Sequence, residues 1–295
     1  ATHPRRTPLR PDGLGRRPPM APFEVMPVEA LSDNYMYLIV DTSTRQAMAV
    51  DPVDADELVA AAKKLNATVI AVLTTHHHFD HAGGNNQMRQ LLGSSLEVLG
   101  GDPNIQGLTR QVRDGDELAL GGCAVRCLHT PCHTSGHISY VVSAPSSPNR
   151  ETAVFTGDIL FVGGCGRFFE GTPEQMVASA AKLAQLPAAT AVYCGHEYTT
   201  KNLEFAFEVE PQNADVIAKR TWAEATRKVG GRTVPSTIGE ELKYNPFMRV
   251  GVAAIKKFTG ADDDVTVMRI LRNKKDTFAG SSRPWIPGGG PLPGL

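Results

Sequence analysis

His76, His78, Asp80 and His81 place four cation-binding side chains within six residues of the stretch Thr74-Thr75-His76-His77-His78-Phe79-Asp80-His81. Imidazole nitrogen and carboxylate oxygen are the usual ligands of zinc-like ions, which take about four of them at roughly 2.0 to 2.2 Å. Alternate residues of an extended segment point to opposite sides, so the stretch divides into two ligand sets and serves two ions. It cannot close two shells alone. The missing ligands must come from distant stretches that end at the same edge of the fold. His133, Asp158 and His196 fit, because each follows a strand-like run and stands beside glycine or a small polar residue. His3, His77 and His129 are read as surface, packing or hydrogen-bonding histidines, and His137 as a residue behind the ligands.

The elements that must position these side chains are legible from the apolar pattern. Residues 69–73 are β-branched and apolar, the mark of a buried strand, and the His-rich loop leaves its carboxyl end, where open α/β folds carry their sites. Upstream, the runs 23–28, 35–41 and 47–51, separated by Ser32-Asp33-Asn34 and Thr42-Ser43-Thr44, predict an antiparallel meander. Asp54, with Glu57 three residues on, predicts a capped helix that buries Leu58, Ala62 and Leu65. A short helix through Met88 and Leu92 follows the His-rich loop. Strand-like runs at 117–120 and 123–128 lead to His133, those at 138–142 and 153–155, with a Ser/Pro loop to Asn149 between them, to Asp158, and that at 191–193 to His196. Thr172-Pro173-Glu174-Gln175 starts a helix that ends before Pro187.

The order of strands and helices makes residues 23–198 an α/β domain. Beyond Tyr198 only helices are expected, at 200–208, 213–228, 237–243 and 263–276, which makes 199–280 a smaller all-helical domain. Residues 1–22 hold five arginines, six prolines and one acid, and residues 281–295 are rich in Gly and Pro; both are read as disordered. The first is either the remains of an organellar targeting segment or a plain extension, with Met20 a further start.

At 295 residues the chain can bury one core with a smaller appended domain. A net charge of −1 gives no overall field that gathers nucleic acid or an anionic membrane. No run approaches the roughly twenty apolar residues of a spanning helix, so a soluble protein that engages neither is expected. Five cysteines are an odd number in a chain too large to need disulfide staples, which suggests the cytoplasm or the mitochondrial matrix. Cys123, Cys127, His129 and Cys132 lack a CxxC pair and lie on an alternating run, which disfavours a structural zinc site there.

The motif Thr-His-x-His-x-Asp-His at 75–81, with Thr156-Gly157-Asp158 and Cys194-Gly195-His196-Glu197-Tyr198, resembles the metallo-β-lactamase superfamily. Within it the chain resembles the hydroxyacylglutathione hydrolases, or glyoxalase II, over about 23–278. The resemblance runs through Ser-Asp-Asn-Tyr-Met-Tyr-Leu at 32–38, Thr-Pro-Cys-His-Thr-Ser-Gly-His at 130–137, Phe-Thr-Gly-Asp at 155–158, Gly-Cys-Gly-Arg-Phe-Phe-Glu-Gly at 164–171 and Tyr-Asn-Pro-Phe-Met-Arg-Val at 244–250. It implies an αββα sandwich followed by a helical substrate-binding domain. It also implies one ion on His76, His78 and His133, a second on Asp80, His81 and His196, and Asp158 bridging them, with zinc first and iron or manganese acceptable. Asp80 and Asp158 would flank a hydroxide shared by the ions, which attacks a thioester carbonyl, so no Ser or Cys nucleophile is required.

The substrate side follows from the same resemblance. Arg272 and Lys275 lie three apart on one helical face, by themselves no more than a solvated basic face. Leu-Arg-Asn-Lys-Lys-Asp at 271–276, however, looks like the segment that binds the glycyl carboxylate of glutathione, with Arg167 and Tyr198 as further peptide contacts. Arg167 stands where lysine is usual and keeps the charge; Phe169 stands where tyrosine is usual and loses a hydroxyl. The implied activity is hydrolysis of S-(2-hydroxyacyl)glutathione, S-D-lactoylglutathione first, to glutathione and D-lactate, the second step of methylglyoxal detoxification, by a monomer. The alternatives are a mononuclear-iron sulfur dioxygenase acting on glutathione persulfide, a phosphodiesterase, against which the near-neutral charge speaks, and a metal-stabilised module that binds glutathione conjugates without consuming them.

Overall fold

The computed structural model describes residues 21–145 and 152–281, together with 283 and 285. The expected extension before Ala21, most of the expected tail after Ser281 and the loop through Asn149 fall outside the described residues.

Three strands open the fold as the predicted meander: β1 (Phe23–Ala30), β2 (Asn34–Asp41) and β3 (Gln46–Val50), each antiparallel to the one before. The Asp54 carboxylate accepts the Glu57 amide and starts α1 (Ala55–Lys64), which returns the chain to β4 (Thr68–Leu73), parallel to β3. After α3 (Asn85–Leu92), β5 (Glu97–Gly100) and β6 (Arg110–Gln111) extend this sheet in parallel. The second sheet begins with β7 (Glu117–Leu120), β8 (Cys123–His129), β9 (Ile138–Ser143) and β10 (Thr152–Gly157), all antiparallel. Thr172 and Gln175 form a complete capping box that starts α4 (Pro173–Ala184), the crossover to β11 (Ala191–Cys194), parallel to β10.

The alternation along β2 explains the layers. Tyr35, Tyr37 and Ile39 pack between the sheets, whereas Met36, Leu38 and Val40 pack on the opposite face with Leu58 of α1 and Met88 of α3. A strand whose side chains alternate can bury both faces only when both are covered. β10 repeats this, with Ala153 and Phe155 inward and Val154 outward toward Met176 and Leu183 of α4. The result is the αββα order.

After Tyr198 come α5 (Thr199–Val209), α6 (Ala214–Lys228), α7 (Ile238–Tyr244), α8 (Ala253–Thr259) and α9 (Asp264–Asp276). The expectation of helices only needs one correction: β12 (Ser236–Thr237) pairs antiparallel with β11 and becomes the sixth strand of the second sheet. Two residues are too few for a period to show, and Thr237 also caps α7. The expected free tail is likewise pinned where it is described. Ser281 Oγ donates to Glu208, and the Trp285 ring lies 4.0 Å from the Arg220 guanidinium while its Nε1 donates to Glu224.

All five cysteines are buried and outside any disulfide; Cys123 and Cys127 pack between the sheets, Cys132 in the cluster beneath α4. Among the described residues no helix is long and apolar enough to cross a membrane.

Candidate metal centre

Four loops meet at one edge of the sandwich. The loop after β4 carries His76 and His78 and then closes one helical turn, α2 (Phe79–Ala82), which carries Asp80 and His81. The last two candidate ligands thus come from a helical turn and not from an extended alternation, and Asp80 groups with His81 and His196 where strict alternation would have put it with His76 and His78. The loops after β8, β10 and β11 carry His133, Asp158 and His196. Two tyrosines bolt the sheets together here. The Tyr140 hydroxyl of β9 donates across to Thr74 O at 2.9 Å, and the Tyr37 hydroxyl of β2 donates to Cys194 O.

His76 Nε2 lies 3.0 Å from His78 Nδ1, which lies 3.1 Å from His133 Nε2. In the second set His196 Nε2 lies 3.3 Å from His81 Nε2 and 3.4 Å from Asp80 Oδ2. Asp158 stands between them, with Oδ2 at 3.6 Å from His133 Nε2 and 3.4 Å from His196 Nε2, and Oδ1 at 3.3 Å from His81 Nε2. Ligand atoms about 2.0 to 2.1 Å from a tetrahedral ion sit about 3.3 Å apart, so these spacings fit divalent ions. Asp158 Oδ1 is buried with no hydrogen-bond partner, an acceptor that a cation would satisfy. Gly195 keeps the cradle open: a Cβ there would lie 2.4 Å from Asp158 Oδ1 and 2.7 Å from His81 Cε1.

The far nitrogens of four imidazoles are tied down. Nδ1 of His81 lies 3.0 Å from Asp51 Oδ2, that of His196 2.8 Å from Asp33 Oδ1, that of His133 2.9 Å from Arg167 O and that of His76 3.0 Å from Thr75 Oγ1. An Nδ1–H spent on a carboxylate or carbonyl leaves the Nε2 lone pair for a ligand role. Asn34 Nδ2 in turn donates to the Asp80 backbone and carboxylate. Sequence reasoning gives Asp33, Asn34, Asp51 and Thr75 no role, although all but Asp51 stand in stretches that carry the resemblance; the remaining signal is polar residues at strand ends, which also mark ordinary turns.

Burial holds His76, His78 and His133 below the usual histidine range, neutral and able to ligate. Burial pushes His196 the same way, but Asp158 and hydrogen bonds to Asp158 and Asp80 override it and raise it to about 10. His81, buried between Asp158 and Asp51, is likewise raised. Burial would raise Asp158, yet His81 and His196 hold it well below the usual carboxylate range. Two histidines raised beside one lowered carboxylate mark a place that calls for positive charge, which a divalent ion would supply in exchange for protons.

Beside the ligands opens a pocket of about 500 Å³ whose lining includes His133, Asp158 and all five expected substrate-side residues. Tyr198 stacks flat on His196, with ring centroids 4.7 Å apart, and Phe169 sets its ring 5.5 Å from that of His78 and 5.2 Å from that of His133. Lys275 donates to Lys201 O, and Lys201 itself is a lining cation that sequence reasoning does not single out. Arg272 is buried and donates to Cys165 O at 2.8 Å, so it braces the loop as well as facing the pocket. His77 bonds Asp102, His129 bonds Ser135 O, and His137 touches a ligand only by stacking on His76 at 5.3 Å.

A family profile described as hydroxyacylglutathione hydrolase C-terminus matches residues 197–278, and one described as metallo-beta-lactamase superfamily matches 33–95. The chain is 51% identical over 261 residues to a cytoplasmic hydroxyacylglutathione hydrolase of Arabidopsis thaliana, which covers 88% of this chain and 100% of that one. It belongs to the hydroxyacylglutathione hydrolase family. A hydroxyacylglutathione hydrolase-like protein of Gallus gallus is 47% identical over 257 residues, 87% of this chain and 90% of its own. Among solved structures, ETHE1 from Myxococcus xanthus superposes with a TM-score of 0.60 at 29% identity, over 85% of this chain and 90% of its own. Each block matched by a profile holds part of the site, while His133, Asp158, Arg167, Phe169 and His196 lie between the two blocks. The first holds the His-rich loop with Asp33 and Asp51, and the second holds Tyr198, Lys201, Arg272 and Lys275.

Proposed function

We propose that this chain hydrolyses S-(2-hydroxyacyl)glutathione, S-D-lactoylglutathione first, to glutathione and a 2-hydroxy acid. The observation that supports it best is the juxtaposition of two ligand sets sharing Asp158 with a pocket lined by Arg167, Lys201, Arg272 and Lys275. One end suits hydrolysis, the other the carboxylates of glutathione.

His76, His78 and His133 would hold one divalent ion and Asp80, His81 and His196 a second, zinc before iron or manganese, with Asp158 facing both. Bound ions supply a water activated near neutral pH and a Lewis acid for the thioester carbonyl. Asp33 and Asp51 keep the outer protons of His196 and His81 away from the ligand atoms, so those rings cannot turn. Tyr198 and Phe169 wall the reacting end with aromatic surface. Lys275 and Arg272 would fix a carboxylate remote from the scissile bond, which binds ground and transition states alike. Residues 23–198 would thus bring the ligands and 199–280 most of the substrate's cations, in a monomer of the cytoplasm or mitochondrial matrix.

The runner-up, a persulfide dioxygenase, needs one iron, whereas Asp80, His81 and His196 repeat the ligand spacing of the first set. Loss of lactoylglutathione, followed on protein of measured metal content, should scale with about two ions per chain. Oxygen uptake with glutathione persulfide at one iron per chain, without thioester loss, would overturn the proposal.

A further inference from the structure

Asp276 is the last residue of α9, where the helix dipole disfavours an anion. Its carboxylate nevertheless sits between two guanidinium groups of the pocket: Oδ1 lies 3.0 Å from Arg272 Nη2 and 3.5 Å from Arg167 Nε. The two arms differ. Arg272 is buried, with Nη1 committed to Cys165 O and Nε without a partner, whereas the Arg167 side chain is 63% exposed.

We infer that Asp276 is an internal stand-in for the substrate's carboxylate and sets the specificity of the pocket. An anion entering from solvent needs the same guanidinium donors, and the donor directions of a fork that already serves one carboxylate cannot fully serve a second. The contact with the exposed Arg167 gives way first, since such pairs are weak, while Asp276 stays held on the buried Arg272 and repels the incoming carboxylate at short range. The contest falls on every ligand that carries carboxylates, including product glutathione, and favours a thioester that also engages the reacting end. Asp276 thereby weakens ground-state binding and eases product departure. This inference rests on the glutathione reading proposed above.

The test is Asp276→Asn, which keeps the shape, removes the charge and relieves the helix end, so folding is not at stake; a melting curve checks it. The KM for lactoylglutathione and the calorimetric Kd for glutathione should both fall, by about three- to tenfold, as expected for removing one like charge a few ångström away in a wetted pocket. The KM for a lactoyl thioester of N-acetylcysteamine, which has no carboxylate, should not move. A residue that merely anchored the arginines would give the opposite sign. A substrate KM or glutathione Kd that rises or stays level therefore overturns the inference. Should the wild type hydrolyse neither thioester, the hydrolase reading fails, while the glutathione Kd of the two proteins still decides the role of Asp276.

Discussion

Asp158 touches both candidate ligand sets, because one oxygen faces His81 and the other faces His133 and His196. Asp158→Ala removes a charged ligand from each ion at once, so metal content should fall at both positions and turnover nearly vanish. A variant that retains two ions and near-normal turnover would refute the shared role. Lys275 gives a pH prediction. Burial, aided by Arg272, pushes it down to about 8. Below that pH the ammonium is charged and attracts a carboxylate; above it the attraction is lost, so KM for the glutathione thioester should rise while kcat holds. In Lys275→Arg the guanidinium stays charged and the rise should flatten. A wild-type KM level through about pH 9 would remove Lys275 from carboxylate binding. At this scale the gathering of the seven candidate ligands was legible in the sequence, since few residue types bind metal and these stand at loop starts. Asp33 and Asp51 were not, because a carboxylate that orients an imidazole looks in sequence like any turn residue.

Glu241 of α7 shows how one element braces another. Its buried carboxylate accepts Gly163 N and Asn245 Nδ2 on one oxygen and Ser236 Oγ and Tyr244 Oη on the other. Asn245 also donates to Phe161 O and Gly164 O, so α7 fixes the turn that precedes Cys165 and Arg167. Glu241→Ala strands these donors in the interior and should destabilise the protein by about 3 to 5 kcal/mol, measured by urea unfolding. A loss under about 1 kcal/mol would mean that solvent reaches them. Elements with a full apolar period, such as β2, α1 and α4, were readable in advance. β5, β6, β12 and α8 were not: they are short and owe their form to neighbours, β12 to the edge of β11 and α8 to the single buried side chain of Ile255.

For the whole molecule, the αββα plan was implied by the resemblance, where the strand pattern alone reached only an α/β domain, and the loops' meeting at one edge followed from strands that end there. What no local pattern revealed is that the ligands are drawn from both sheets: four from the loop after β4 and three from loops after β8, β10 and β11. Ions bound there would join the layers. Removing them with a chelator should abolish thioester loss and lower Tm, by the equivalent of about 3 to 4 kcal/mol for each ion normally present at 100 to 1,000 times its Kd, and zinc should restore both. An unchanged Tm would show that the sandwich holds without them.

The tyrosine bolts carry this further. Tyr140 ends on Thr74 O and Tyr37 on Cys194 O, each acceptor two residues ahead of a ligand, His76 and His196. These hydroxyls act as the cross-ties of a track: they set the gauge between the rails, and the gauge decides which wheel fits. For ions bound there, ionic-radius selectivity would belong to the spacing of the sheets as much as to the ligands. Tyr140→Phe touches no ligand, yet it should loosen the spacing and shift a zinc–manganese competition toward the larger ion; an unaltered ratio would confine selectivity to the ligand atoms themselves.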